Sequence, residues 1–274
     1  MKKSIYFLLI AAGLMGSTFP IQKLGLNSVD PLFYLTLRFL IATIISFFIF
    51  KKGNVYYSII LGFVLSIGYI TQIIGINYTT ASKAGFITSQ YIVFIPIFSY
   101  IIEKEKINIF QGISFFLSII GSYLLAGGIN GFNIGDILMI FCAVSFALHI
   151  VLITKFSKKV QEKNLLTIQF LTVSIIGIIA SFIFKVSTNI TTLSFYTILY
   201  SAIVGSIIVI YLQLKFQKNV GSNLTAIIFL IQPVFSAFLS AIILNEKMSK
   251  NQIYGAIILL LSILISNYSK KVYN

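Results

Sequence analysis

Arg38 is the only arginine in the chain, and it stands in LTLRF (35–39), inside the apolar run from Pro31 to Phe50. A guanidinium stays charged and presents five N–H donors in a planar fork suited to a carboxylate or phosphate. About seven residues into a helix, it lies roughly 10 Å deep in a bilayer. Facing lipid there would cost between about 2.5 and about 17 kcal/mol. Three arrangements avoid that cost. The stem can snorkel to the outer headgroups, the head can pair with carbonyls, or it can meet an anionic group of a substrate.

Further polar groups interrupt the apolar runs. Gln72 and Gln213 occupy matching segments, and Gln90 and Gln232 fall near the middle of two others. A buried amide needs partners, either on a neighbouring helix or in a cavity. Ser82, Phe86 and Ser89 follow helical spacing on one face, close to Gln90 and Tyr91. Pro96 and Pro233 each remove one N–H from a helix and free the carbonyls of Ile92 and Phe229, which makes either a static kink or a hinge beside a cavity. His149 is the single histidine, open to a proton relay or to a structural bond with a serine or carbonyl. Asp136 suits a helix start. The expected substrate-binding set is Arg38, Gln72, Ser82, Phe86, Ser89, Gln90, Tyr91, His149, Gln213 and Gln232, with Pro96 and Pro233 as hinges.

Catalysis fits poorly. Cys142 and His149 share a helix face, but seven residues separate them by about 10.5 Å along the axis, too far for a thiol–imidazole bond. HExxH, GxSxG and GxxxxGK[ST] are all missing. One cysteine and one histidine make neither a disulfide framework nor a metal site, so no cofactor is expected.

These residues need elements to position them. Of 274 residues, 58% are hydrophobic and 9% charged, against roughly 25% charged in soluble domains. Such a chain calls for a lipid bilayer as solvent. Ten segments of roughly 20 residues are long enough to span it: 4–23, 31–50, 55–77, 81–102, 109–127, 136–155, 165–184, 193–214, 223–244 and 252–269. The first has no convincing A-x-A site and contains Gly16 and Pro20, so it reads as a span and not as a signal peptide. The net charge of +14 comes from short lysine clusters between spans, without a basic face for nucleic acid. With the N terminus in the cytoplasm, fourteen lysines fall inside and five outside, so the expected site is the cytoplasmic membrane with both termini inside. Trp is absent, and Tyr56, Tyr57, Tyr268 and Tyr273 lie near segment ends.

The chain also repeats itself. A shift of 131 lays LTLRF on LTIQF (166–170), with Gln169 in the place of Arg38. A shift of 141 lays Gln72 on Gln213 and Glu105-Lys106 on Glu246-Lys247, and a shift of 143 lays Gly112 on Gly255. Five spans per copy is odd, so the second copy enters the bilayer from the opposite side, a design associated with secondary transporters. The two glutamate–lysine pairs are expected to cap helix ends as interfacial ion pairs.

Three stretches, YTTASKAGFITSQYIVFIPIFSYIIEKEK (78–106), GDILMIFCAVSFALHIVLITKF (135–156) and SNLTAIIFLIQPVFSAFLSAIILNEK (222–247), resemble the drug/metabolite transporter superfamily, in its EamA-type branch. Two features depart from it: the prolines are not equivalent between copies, and the first-helix tryptophan is missing. The resemblance implies an all-α integral membrane protein of ten helices in two inverted repeats, residues 4–127 and 134–270. It further implies a carrier of a small metabolite, amino acid or drug, working by alternating access through a central cavity. The alternative is a membrane sensor or scaffold that binds a small-molecule solute without moving it. A homodimer stays open.

Overall fold

The computed structural model describes residues 1–50, 53–125 and 133–272, with side chains as far as Ile265. Lys51, Lys52, Tyr273, residues 126–127 and the side chains of Tyr268, Lys270 and Lys271 lie outside the described residues. All regular structure among the described residues is helical. We number the helices α1 (Lys2–Gly25), α2 (Pro31–Phe50), α3 (Val55–Tyr78), α4 (Ala81–Glu103), α5 (Ile109–Leu125), α6 (Ile134–Ser157), α7 (Lys163–Ile183), α8 (Thr192–Gln217), α9 (Ser222–Ile243) and α10 (Lys250–Val272). Eight of them are long and apolar enough to cross a membrane. α5 and the Lys250–Ile265 stretch of α10 are shorter apolar helices. Large apolar side chains such as Phe48, Phe116, Phe182 and Leu264 stand exposed on the outer faces. That surface suits hydrocarbon, in which a helix satisfies its own backbone.

Helix starts follow from local side-chain chemistry. Asn54 accepts from the Tyr57 N–H and Thr80 from that of Lys83, while Asn133 with Asp136 and Thr191 with Ser194 form reciprocal capping boxes. Two more boxes open α5 and α10. Asn108 exchanges bonds with Gln111, and Ser249 does the same with Gln252. The shift of 141 relates the second pair to the first.

Packing partners exchange consistently when the first five helices are swapped for the last five. α2 lies against α7 and α5 against α10; α3 meets α6 as α8 meets α1; α4 meets α6 as α9 meets α1. The first half of α4 packs on the second half of α9 and its second half on the first, so the two run antiparallel.

Three helices are irregular in mid-span. α4 is interrupted at Gln90, between Ala81–Ser89 and Tyr91–Glu103, and α9 between Ser222–Ile228 and Ile231–Ile243. Pro233 is the third residue of its half-helix, where a backbone N–H has no intrahelical acceptor to lose. Pro96 stands more than a turn beyond the interruption in α4. In α8, Ser201–Ile208 form a π-helix, a conformation that concentrates at functional sites.

Candidate substrate cavity

A small cavity lies between the two halves. Met15 of α1, Leu65 and Tyr69 of α3, Tyr91 of α4, Phe146, His149 and Ile150 of α6, Ile210 and Gln213 of α8, and Phe229 of α9 line it. Its free volume is about 20 Å³, on the scale of one water. The wall is mostly apolar, with tyrosine hydroxyls, an imidazole and an amide as its polar groups. Tyr91 opens the second half of α4, and Phe229 follows the first half of α9. The cavity therefore sits between the two helix interruptions.

Arg38 lies behind this wall and does not snorkel, being 1% exposed. Its Nε donates to Ser206 Oγ at 2.9 Å, Nη1 to Gln22 Oε1 at 3.2 Å and Nη2 to Tyr69 Oη at 3.3 Å. The guanidinium carbon stands 4.5 Å from the Tyr69 ring centroid and 5.2 Å from that of Phe39, contacts worth about 2 kcal/mol when desolvated. All three hydrogen-bond partners are neutral. Among the described residues no carboxylate lies within 4 Å of the guanidinium. The π-helix presents the partner: Ser206 Oγ donates to the carbonyl of Ser201, whose own hydroxyl bonds Tyr34 Oη at 2.8 Å. Gly205 is needed beside it, because a Cβ there would fall 2.6 Å from Thr18 Cγ2 and 3.1 Å from Arg38 Nη2. Tyr69 accepts from Arg38, which leaves its O–H as a donor.

Of the expected residues, Tyr91, His149 and Gln213 line the cavity. His149 Nε2 stands 3.3 Å from Gln169 Oε1, so the repeat counterpart of Arg38 bonds the imidazole, in place of a serine or carbonyl. Gln213 donates to Gln217 Oε1, and Gln217 donates in turn to Thr154 Oγ1 and to the carbonyl of Ile150. Gln232 is buried, with Tyr91 Oη 3.5 Å from its Oε1 and its Nε2 without a partner. Gln90 donates weakly to the Phe86 carbonyl, and Ser89 bonds that same carbonyl at 2.6 Å. Phe86 packs on the core, and Gln72 is buried. Ser82 turns away to Glu246 at 2.5 Å. Sequence reasoning missed Tyr69, Phe146, Gln22 and Ser206. Tyr69 stands three residues before Gln72, on the same helix face, which is the one signal that pointed to it.

The described helices define a multi-pass membrane protein with a cavity enclosed between similar halves. The EamA-like transporter family matches the chain twice, over residues 2–127 and 133–268. An uncharacterized transporter of Archaeoglobus fulgidus is 32% identical over 258 residues, covering 94% of this chain and 83% of that protein. The uncharacterized transporter YetK of Bacillus subtilis is 24% identical over 289 residues, covering 95% and 86% respectively. The chain belongs to the EamA-like transporter family. One crystal structure is similar with a TM-score of 0.80 over 99% of both chains at 15% identity, a likeness of fold alone.

Proposed function

We propose that this chain is a secondary transporter that carries a small metabolite, amino acid or drug across the cytoplasmic membrane by alternating access. Ten spans in two inverted five-helix halves would enclose the path. The observation that carries this reading is the position of the cavity: both halves build its wall, and Tyr91 and Phe229 bring to it the interruptions of α4 and α9. A helix broken in mid-span lets one half move without the other and frees backbone groups beside the solute. The small volume fits a closed state, which must widen to admit a solute. The antiparallel pairing of α4 with α9 supports inverted halves. The excess of lysines on one side supports both termini in the cytoplasm.

Tyr91, His149 and Gln213 are assigned to direct contact with the solute. Arg38 acts from behind Tyr69, and its uncompensated charge favours a solute carrying a carboxylate or phosphate. Tracer flux into sealed liposomes tests the assignment. Saturable flux above that of empty liposomes is the expected result, and binding without flux across a broad panel would make the protein a sensor.

A further inference from the structure

The side chains of Glu105 and Glu246 do not cap the helices they follow; each carboxylate reaches the start of a helix in the other half. Glu246, just past α9, accepts from the backbone N–H groups of Ala81 and Ser82 at 3.1 and 3.3 Å and from the Ser82 hydroxyl, all at the start of α4. Glu105, just past α4, accepts from the Ser222 N–H at 3.0 Å, at the start of α9. The shift of 141 that carries Glu105 to Glu246 also carries Ala81 to Ser222. Each half thus holds the first residues of a helix in the other half with the same residue of the repeat.

The backbone repeats the arrangement. Lys104 and Asn245, the residues before the two glutamates, are left-handed with φ of 58° and 54°, an uncommon region for residues other than glycine. The Glu105 N–H donates to the Ser99 carbonyl and the Glu246 N–H to that of Ser240, both at 3.3 Å. The same turn aims each carboxylate across the boundary between halves. At the Glu105 end, Gly221 has φ of 89°, and a Cβ on it would come within 2.9 Å of Glu105 Oε1. Glu103 adds a 2.5 Å bond from the Ser222 hydroxyl and an ion pair with Lys158. Burial and then the neighbouring Glu103 carboxylate push the Glu105 carboxyl above the usual carboxylate range, while bonds from the start of α9 oppose the shift.

We propose that Glu105 and Glu246 are the two gate residues of the transport cycle, each closing one end of the cleft by holding the opposite half. The proposal rests on the transporter reading. α4 and α9 are antiparallel, so the two clasps lie at opposite ends of the same helix pair. The interruptions lie between them. Releasing Glu246 frees the first half of α4 from the second half of α9 while Glu105 still holds the far end, and releasing Glu105 does the reverse. Both clasps are closed in this structure, which matches the contracted cavity.

Single cysteines report which end is open. In a Cys142→Ala background, Ser236→Cys marks the Glu246 end, where Ser236 donates to the Ala81 carbonyl, and Ser99→Cys marks the Glu105 end, where Ser99 donates to Asn223. A membrane-impermeant maleimide is applied to right-side-out and inverted vesicles. Glu246→Gln should speed labelling at position 236 about fivefold or more and slow it at 99, Glu105→Gln should do the opposite, and each change should appear from one face of the membrane. Should either glutamine variant fail to fold, Ser82→Ala loosens the Glu246 clasp more gently and Glu105→Asp draws the other carboxylate back from the Ser222 N–H, and the two should shift labelling in the same opposed directions. A rise at both positions in both variants, or no change at either, overturns the proposal, because loss of a structural contact has no reason to act reciprocally. Reciprocal labelling without flux of any solute would leave the gates standing and remove the transporter reading instead.

Discussion

Arg38 holds a full charge against three neutral acceptors, and the tyrosine it rests on is part of the cavity wall. A solute anion in the cavity would supply the missing countercharge. Arg38→Gln should therefore raise the KM of an anionic solute about tenfold or more, equivalent to roughly 1.4 kcal/mol, with little change for neutral solutes. Arg38→Lys should fall between, because a point charge replaces the fork. Flux assays over matched anionic and neutral solutes distinguish these outcomes, and equal losses for both classes would make the residue structural. Gly205→Ala should cost about 1–3 kcal/mol by driving a methyl into Thr18 and toward the guanidinium, visible as a lower unfolding temperature in detergent. The oddity of Arg38 was readable from its type and its apolar neighbours. Its partners were not, since Gln22, Tyr69 and Ser206 lie 16, 31 and 168 residues away and become neighbours only by packing.

The helices themselves were largely readable, because an apolar run of the right length flanked by a capping residue leaves little choice. Asp136 acts as the cap its position suggested, within a box with Asn133. The interruption of α4 was harder to see. A proline marks where a donor is missing, but Pro96 lies more than a turn past the break at Gln90, and no residue type announces the π-helix in α8. At α9 the break and the proline nearly coincide, so Pro233 is the sharper test of hinging. The Phe229 carbonyl accepts from the Gln232 N–H at 2.9 Å across the interruption, and Pro233→Ala adds a second N–H within one turn of it, which would favour a continuous helix there. Transport should slow about fivefold or more in reconstituted flux if the interruption must flex. Unchanged flux would make the kink static.

At the scale of the whole molecule, the repeat was visible as a few matches in shared order, with LTLRF against LTIQF as its anchor. The clasps it creates were not visible, because nothing local tells Glu105 and Glu246 that their partners belong to the other half. In the proposed inverted arrangement these two similar turns stand on opposite faces of the membrane. Cysteines introduced at Lys106 and Lys247 in the Cys142→Ala background should react with an impermeant maleimide from opposite sides of intact cells and inverted vesicles. Labelling from the same side would break the symmetry on which the two gates depend. The most direct test of a carrier remains flux by the purified protein in sealed liposomes, with a panel of labelled amino acids, organic acids and amphiphilic drugs. Saturable movement of at least one solute, faster than in empty liposomes and weakened by Arg38→Gln or Glu246→Gln, is the expected result. Tight binding of a solute that never crosses would contradict it.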